Sequence, residues 1–251
     1  MERKMKFTVI TSMNEEYFNH CGKAMLESYT AYWKNIPICL YNEDFQYKSK
    51  TVINKGWNLG LAYNKFQDRW KSNQKVQTFA KKGFSIIDAM ENIECDRLIW
   101  LDADTICTRE INIQLLELIS SNDILSTHFG VIHDWPSSAN PNRQMFSCET
   151  GFFILNKRHP MFKEFKDTYK DIYTNDRTTN LRRFYDGEVY GETVRRLQNK
   201  GAKMLDLNPG NKHKTPIPRS LLEPYITHYK AGLKDSVDNN SLMKKHNIDE
   251  I

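Results

Sequence analysis

The sequence predicts an α/β fold with a mostly parallel central sheet flanked by helices. Three observations carry that expectation. Short apolar strands alternate with helical periodicities through the first half of the 251 residues, the pattern of βαβ units. The apolar run Leu98-Ile99-Trp100-Leu101 stops abruptly at Asp102-Ala103-Asp104, as a buried strand does when it delivers polar groups to the sheet edge where α/β proteins bind ligands. A composition of 39% hydrophobic and 27% charged residues belongs to an ordinary globular domain, not to a disordered chain.

Phe7 to Ile10 reads as the first strand. Ser12, with Glu15 three residues on, has the spacing of a capping box for a helix whose face carries Tyr17, Cys21, Ala24, Met25 and Ser28 and runs to Tyr32. Pro37 to Tyr41 is a second strand; a polar, aromatic segment without clear period follows to about Asn73. Val76, Phe79, Gly83, Ile86, Ile87 and Met90 mark one face of the next helix. After the Leu98–Leu101 strand come an apolar helix around Leu115 to Ile119 and a short strand from Ile124 to Thr127. Residues 128–147, rich in Gly, Pro, Ser and Asn, read as a long loop. Gly151 to Leu155 is a strong strand. Helical patterns then run through Phe162, Phe165, Tyr169 and Ile172, and again through Val189, Thr193, Val194 and Leu197. Ala202 to Leu207 is strand-like and stops at Pro209-Gly210. The reading is one domain over residues 1–235 and a polar tail, 236–251, that winds over the surface or frays.

A net charge of +5 favours an anionic partner such as a nucleotide, but bases and acids alternate along the chain, which is too scattered a pattern for a nucleic-acid protein on charge alone. The five cysteines, at 21, 39, 95, 107 and 148, are odd in number, widely spaced and form no Cys-x-x-Cys pair. That argues against a disulfide scaffold and against structural zinc. No signal-peptide core or membrane span is legible, so the expected setting is soluble and cytoplasmic.

Two acids one residue apart at a strand end can be turned toward one ion. Hard carboxylate oxygens with open positions suit Mg²⁺ or Mn²⁺ carrying phosphate oxygens, so Asp102 and Asp104 point to a metal-bound diphosphate. Near the C-terminus, Thr227-His228-Tyr229-Lys230-Ala231-Gly232-Leu233-Lys234 groups a possible nitrogen ligand, His228, with Gly232, which allows close backbone approach to a phosphate, and Lys234, a point charge for it.

With both clusters in hand, the chain resembles the GT-A fold glycosyltransferases, a Rossmann-like class, over roughly residues 5–235. The closest likeness is to the glycogenin-like and galactinol-synthase-like retaining group and to related small bacterial and viral transferases. There a helix with basic residues precedes a strand ending Leu-Asp-Ala-Asp-Thr, as Lys81-Lys82 and Leu101 to Thr105 do. Glu149-Thr150-Gly151-Phe152-Phe153-Ile154 is similar to a later Asn-Ser-Gly strand, and Asp186-Gly187-Glu188 to an acidic helix start. The family's His-x-x-Gly-x-x-Lys resembles His228 to Lys234, although glycine here falls four residues after the histidine, and Asp235-Ser236 replaces the usual Pro-Trp.

The resemblance implies a nucleotide-sugar donor (a UDP- or GDP-sugar), Mn²⁺ or Mg²⁺ as cofactor, and transfer with retention to a saccharide, protein or nucleic-acid acceptor. It implies Asp102, Asp104 and His228 as metal ligands. Thr11, Ser12, Lys82, Asp102, Ala103, Thr150, Gly151, Gly232 and Lys234 are the expected donor contacts, with Trp135 stacking on a sugar ring or closing over the donor. Glu149, Asp186 and Glu188 are the carboxylates near the anomeric centre. Several of these residues have plainer uses: Ser12 or Asp186 as a helix cap, Lys82 as a surface lysine, Trp135 as packing. A nucleotidyltransferase or sugar-nucleotide pyrophosphorylase is a second reading, although Thr11-Ser12-Met13-Asn14 lacks the glycine-rich basic loop that a triphosphate needs. A non-catalytic carbohydrate- or nucleic-acid-binding protein is a third.

Overall fold

In the computed structural model the described residues are 4–136, 144–175, 181, 185–210, 217–229 and 238–248, with side chains described outside 133–136 and 144–145. The chain opens with β1 (Phe7–Met13), a single turn α1 (Glu15–Tyr17), a π-helical turn (Phe18–Gly22) and α2 (Lys23–Tyr32). Next come β2 (Ile38–Asn42), β3 (Val52–Asn54), α3 (Gly60–Arg69), α4 (Gln74–Asn92) and β4 (Arg97–Leu101). The second half holds β5 (Thr105–Cys107), α5 (Ile113–Ile119), β6 (Ser126–Pro136), β7 (Gln144–Asn156), α6 (Phe162–Thr174) and α7 (Asp186–Gln198). Short strands β8 (Met204–Asp206) and β9 (Ile226–His228) precede α8 (Asn239–His246).

Seven strands form one sheet in the order β3-β2-β1-β4-β7-β6-β8. The first four run parallel; β7 is antiparallel to both β4 and β6. β1, β2 and β4 are buried along nearly their whole length, which is why they read as continuous apolar runs instead of alternating ones. The sheet separates two cores. One packs α4, α6 and α7 through Phe84, Ile87, Tyr169, Tyr190 and Leu197; the other packs α2 and α5 through Met25, Leu26, Tyr29, Leu116 and Ile119. β5 and β9 form a separate antiparallel pair beyond the carboxyl end of β4, with Thr105 opposite His228.

Four sequence expectations are corrected. Residues 128–147 are not a loop throughout: 128–136 belong to β6 and 144–147 to β7, which pair antiparallel, and 137–143 lie outside the described residues. Gly130 sits inside a strand because Asp206 Oδ2 and Phe146 stand 2.4 and 2.8 Å from where its Cβ would be. Ser12 does not cap a helix. β1 continues through it, pairing Ser12 with Tyr41 and Met13 with Asn42, and Asn14 is the cap, accepting from Tyr17 N at 2.8 Å. The unpatterned stretch before Asn73 contains β3 and α3. The C-terminal segment forms α8, with a capping box between Asp238 and Ser241 and with Leu242, Met243 and Ile248 buried.

Candidate active site

The site is built around the turn that follows β4. Trp100 and Asp102 share a face, as residues two apart in an extended strand do, and Trp100 Nε1 donates to Asp102 Oδ1 at 2.7 Å. Asp102 N donates to the Gly151 carbonyl and Thr105 N returns to the Asp102 carbonyl at 3.0 Å, closing a tight turn over Ala103 and Asp104. The chain then enters β5, whose partner β9 carries His228 back from 124 positions away.

There the acids and the imidazole meet. His228 Nε2 lies 3.1 Å from Asp104 Oδ1 and 3.7 Å from Asp102 Oδ2, and its Nδ1 lies 3.8 Å from Glu149 Oε1. Asp102, Glu149 and His228 each offer a donor atom within 4.8 Å of the other two. Asp104 and Glu149 are buried. Burial by itself would lower the His228 pKa, but Asp104 at hydrogen-bond distance and Asp102 behind it outweigh that and hold it above its ordinary value. The two aspartates outweigh both burial and the nearby Lys82 ammonium.

Lys82, on α4, is the counter-ion on the other flank. Its Nζ reaches Asp102 Oδ1 at 2.5 Å, Asp186 Oδ2 at 2.8 Å and the Thr150 carbonyl at 2.7 Å, and sits 5.0 Å above the Trp100 ring. Desolvation acts against its charge, yet the two carboxylates raise its pKa overall. Asp186 starts α7 and accepts from Thr150 Oγ1 at 2.5 Å. Burial pushes its carboxyl up, but Lys82 and these hydrogen bonds leave it below the usual carboxylate range.

The structure thus brings together Asp102, Asp104, His228, Glu149, Lys82, Thr150, Gly151 and Asp186. Ala103 is buried inside the turn, its carbonyl accepting from Cys21 Sγ at 3.7 Å. Thr11 and Ser12 lie at the carboxyl end of β1, next to β4; Thr11 is fully buried and Ser12 half-buried. Glu188 is buried on α7, about 200° around the helix from Asp186, and the Lys82 contacts gather Asp186 instead. The Trp135 side chain, Gly232 and Lys234 lie outside the described residues. One residue that sequence reasoning did not assign to the site is Tyr17. Burial, and then the nearness of Asp104, Cys21 and Asp102, push its hydroxyl well above the ordinary range. Its place on the first turn after β1, the strand beside β4, was the available signal.

The donor set fits a hard or borderline divalent cation: carboxylate oxygens and one imidazole, without thiolate, are a combination suited to Mn²⁺ or Mg²⁺.

No protein-family model matches the chain, and no curated protein matches it. Solved structures do. A bifunctional glycosyltransferase, WbbM, aligns over 98% of this chain with a TM-score of 0.57 and 14% identity; the chain spans 50% of WbbM's length. The galactosyltransferase LgtC, solved with donor and acceptor sugar analogues, aligns over 92% of this chain and 96% of its own, with a TM-score of 0.52 and 12% identity. An active-site mutant of LgtC gives 0.55 over 95% of both chains at 12% identity. The chain has the GT-A glycosyltransferase fold.

Proposed function

We propose that this protein is a metal-dependent glycosyltransferase that moves a sugar from a nucleotide-sugar donor, a UDP- or GDP-sugar, to a saccharide, protein or nucleic-acid acceptor. One observation carries the reading: Asp102, Glu149 and His228 converge within 4.8 Å, with Asp104 on the imidazole, at the carboxyl edge of a parallel sheet. That is where this class of sheet binds nucleotides, and WbbM and LgtC, which share the fold, are glycosyltransferases by name.

Asp102, Asp104 and His228 would hold Mn²⁺ or Mg²⁺, with Glu149 facing the other imidazole nitrogen. The bound ion supplies Lewis-acid stabilisation of the diphosphate as it leaves. The chain's own residues do the rest. Thr11 and Ser12, at the carboxyl end of β1, are assigned to the nucleoside. Gly151 and Ala103 offer backbone close to the ligands. Gly232 and Lys234 are assigned to the leaving phosphates, where a fixed cation stabilises charge as it develops. Trp135 is assigned to stacking on a sugar ring or closing over the donor. Lys82 keeps Asp186 ionised and oriented toward the donor sugar.

Retention is the favoured outcome. Inversion needs a carboxylate poised to take the acceptor proton, and Asp186, paired with Lys82 and held below the usual carboxylate range, is a weak base. Leaving phosphate can take that proton instead. Five free, buried cysteines favour a reducing, cytoplasmic setting, and among the described residues no helix is long and apolar enough to cross a membrane.

The test is a screen of UDP- and GDP-sugars for Mn²⁺-dependent release of the nucleoside diphosphate, which needs no acceptor. Release from one donor, abolished by chelation, supports the reading. Tight nucleotide-sugar binding with no turnover under any metal would replace it with a binding protein.

A further inference from the structure

We infer that α8 is a clasp on the metal centre: through His246 and Asn239 it holds the Asp102–Asp104 turn and the His228 strand in ligating register. The inference rests on the metal-dependent reading above and adds positioning residues to it.

Three routes lead from α8 to the ligands. The first runs through Tyr229, the residue after His228. Its N–H donates to the Asp104 carbonyl at 2.9 Å, and its hydroxyl shares a hydrogen bond of 2.7 Å with His246 Nε2. The His246 ring stands edge-on at 6.0 Å and Lys245 Nζ lies 5.1 Å over the Tyr229 ring. Tyr229 is 4% exposed, so it is pinned at both ends in a packed site. Neighbouring residues of an extended strand face opposite ways, so fixing Tyr229 from behind fixes how His228 meets Asp104.

The second route is Asn239, at the start of α8. Its Nδ2 donates to the Phe18 and Asn19 carbonyls at 3.0 and 2.6 Å, and its Oδ1 accepts from Ala24 N at 2.9 Å. A π-helical turn widens the backbone and favours special partners for its polar groups; Asn239 supplies three bonds across it. Cys21, in the same turn, donates to the carbonyl of Ala103, the residue between the two aspartates. The third route is apolar: Leu242, Met243 and Ile248 close a small core with Cys21, Ala24, Ile106 and Tyr229.

Groups that orient metal ligands without touching the ion commonly change metal affinity 10–100-fold when removed. Mn²⁺ would be titrated into the protein without nucleotide, and free ion read by electron paramagnetic resonance, for wild type, His246→Ala, Tyr229→Phe and His246→Gln. His246→Ala and Tyr229→Phe are expected to weaken Mn²⁺ binding about 10-fold or more, with unchanged far-ultraviolet circular dichroism at the temperature of the titration. His246→Gln, which keeps a hydrogen-bonding group at that place, should recover most of the affinity. If His246→Ala does not fold, Tyr229→Phe, which keeps the ring, decides. Wild-type affinity in the folded variants overturns the clasp, whatever their melting temperatures. A wild-type protein that fails to hold Mn²⁺ overturns the metal-dependent reading itself, and the clasp with it.

Discussion

The imidazole of His228 occupies the space that a side chain on Gly151 would need: a Cβ there would stand 2.5 Å from His228 Cε1 and 2.7 Å from Nδ1. β7 therefore carries glycine where the His228 ring lies against it. Gly151→Ala must displace the ring, and the strain of forcing a methyl into a packed site is about 1–3 kcal/mol. The expected result is a loss of Mn²⁺ affinity of about tenfold or more with a modest drop in stability, read by metal titration and urea unfolding. Unchanged affinity would remove His228 from the ligand set.

Asp104→Asn separates charge from shape. The amide is nearly isosteric and keeps an oxygen for the contact with His228, while the metal loses a formal negative charge. Turnover of the nucleotide sugar should fall about a hundredfold, roughly 2.7 kcal/mol of transition-state stabilisation, with a melting temperature close to that of wild type. Diphosphate release and thermal melting, run in parallel, check it. Turnover near wild type at saturating Mn²⁺ would exclude Asp104 from the chemistry.

Lys82 and Asp186 form a pair in which each partner protects the other. Their side chains are 12% and 13% exposed, so removing the ammonium leaves Asp186, and Asp102 on its other side, without a counter-ion and with little water to replace it. Lys82→Met should destabilise the protein by about 3 kcal/mol, the usual scale for breaking a buried ion pair. Adding Asp186→Asn should restore a large part of that loss. A double-mutant cycle in urea measures the coupling, and additive losses would show that the pair contributes nothing specific.

The parallel half and the Asp-x-Asp were legible because strands buried on both faces write themselves as apolar runs, and β4 ends where its acids begin. The hairpin was not. Gly130 looks like turn punctuation, and its cause, the Asp206 carboxylate on the neighbouring strand β8, is 76 residues away in sequence. Ser12 was misread for a similar reason: pairing with Tyr41 extends β1 and moves the cap to Asn14. Lys82 and Asp186 each carried a motif, but only the packing of α4 and α7 against one face of the sheet makes them partners. Asn239 is polar in a polar segment and reads as solvated, yet it is buried and bonds three backbone groups.

Acid stability should depend on His128. The ring is buried between Phe146 and Tyr190. Burial lowers its pKa to about 4 against an ordinary 6.5, with Asp206 opposing the shift. The unfolded chain therefore binds the proton first, so this contribution to stability is full above the ordinary value and is lost as pH falls from about 6.5 toward 4. The slope cannot exceed about 1.4 kcal/mol per pH unit for one group. Unfolding free energies of wild type and His128→Gln between pH 7 and 5, above most carboxylate titration, should diverge in slope, with the variant flatter. Parallel curves would mean that His128 takes up its proton in the native state at the same pH as in the unfolded chain.

The contact between His228 and Asp104 joins positions 124 residues apart. Closing so long a loop costs conformational entropy that grows only as the logarithm of its length, about 4 kcal/mol here by the simple chain estimate, and contacts of that span form late when a chain folds. The β6–β7 hairpin, by contrast, closes locally. On the metal-dependent reading proposed above, binding competence is expected to come last in folding, after the sheet has its strands in place. In stopped-flow refolding, Mn²⁺ uptake should lag the recovery of circular dichroism; uptake in step with the first β-structure would mean that the ion organises the chain from the outset.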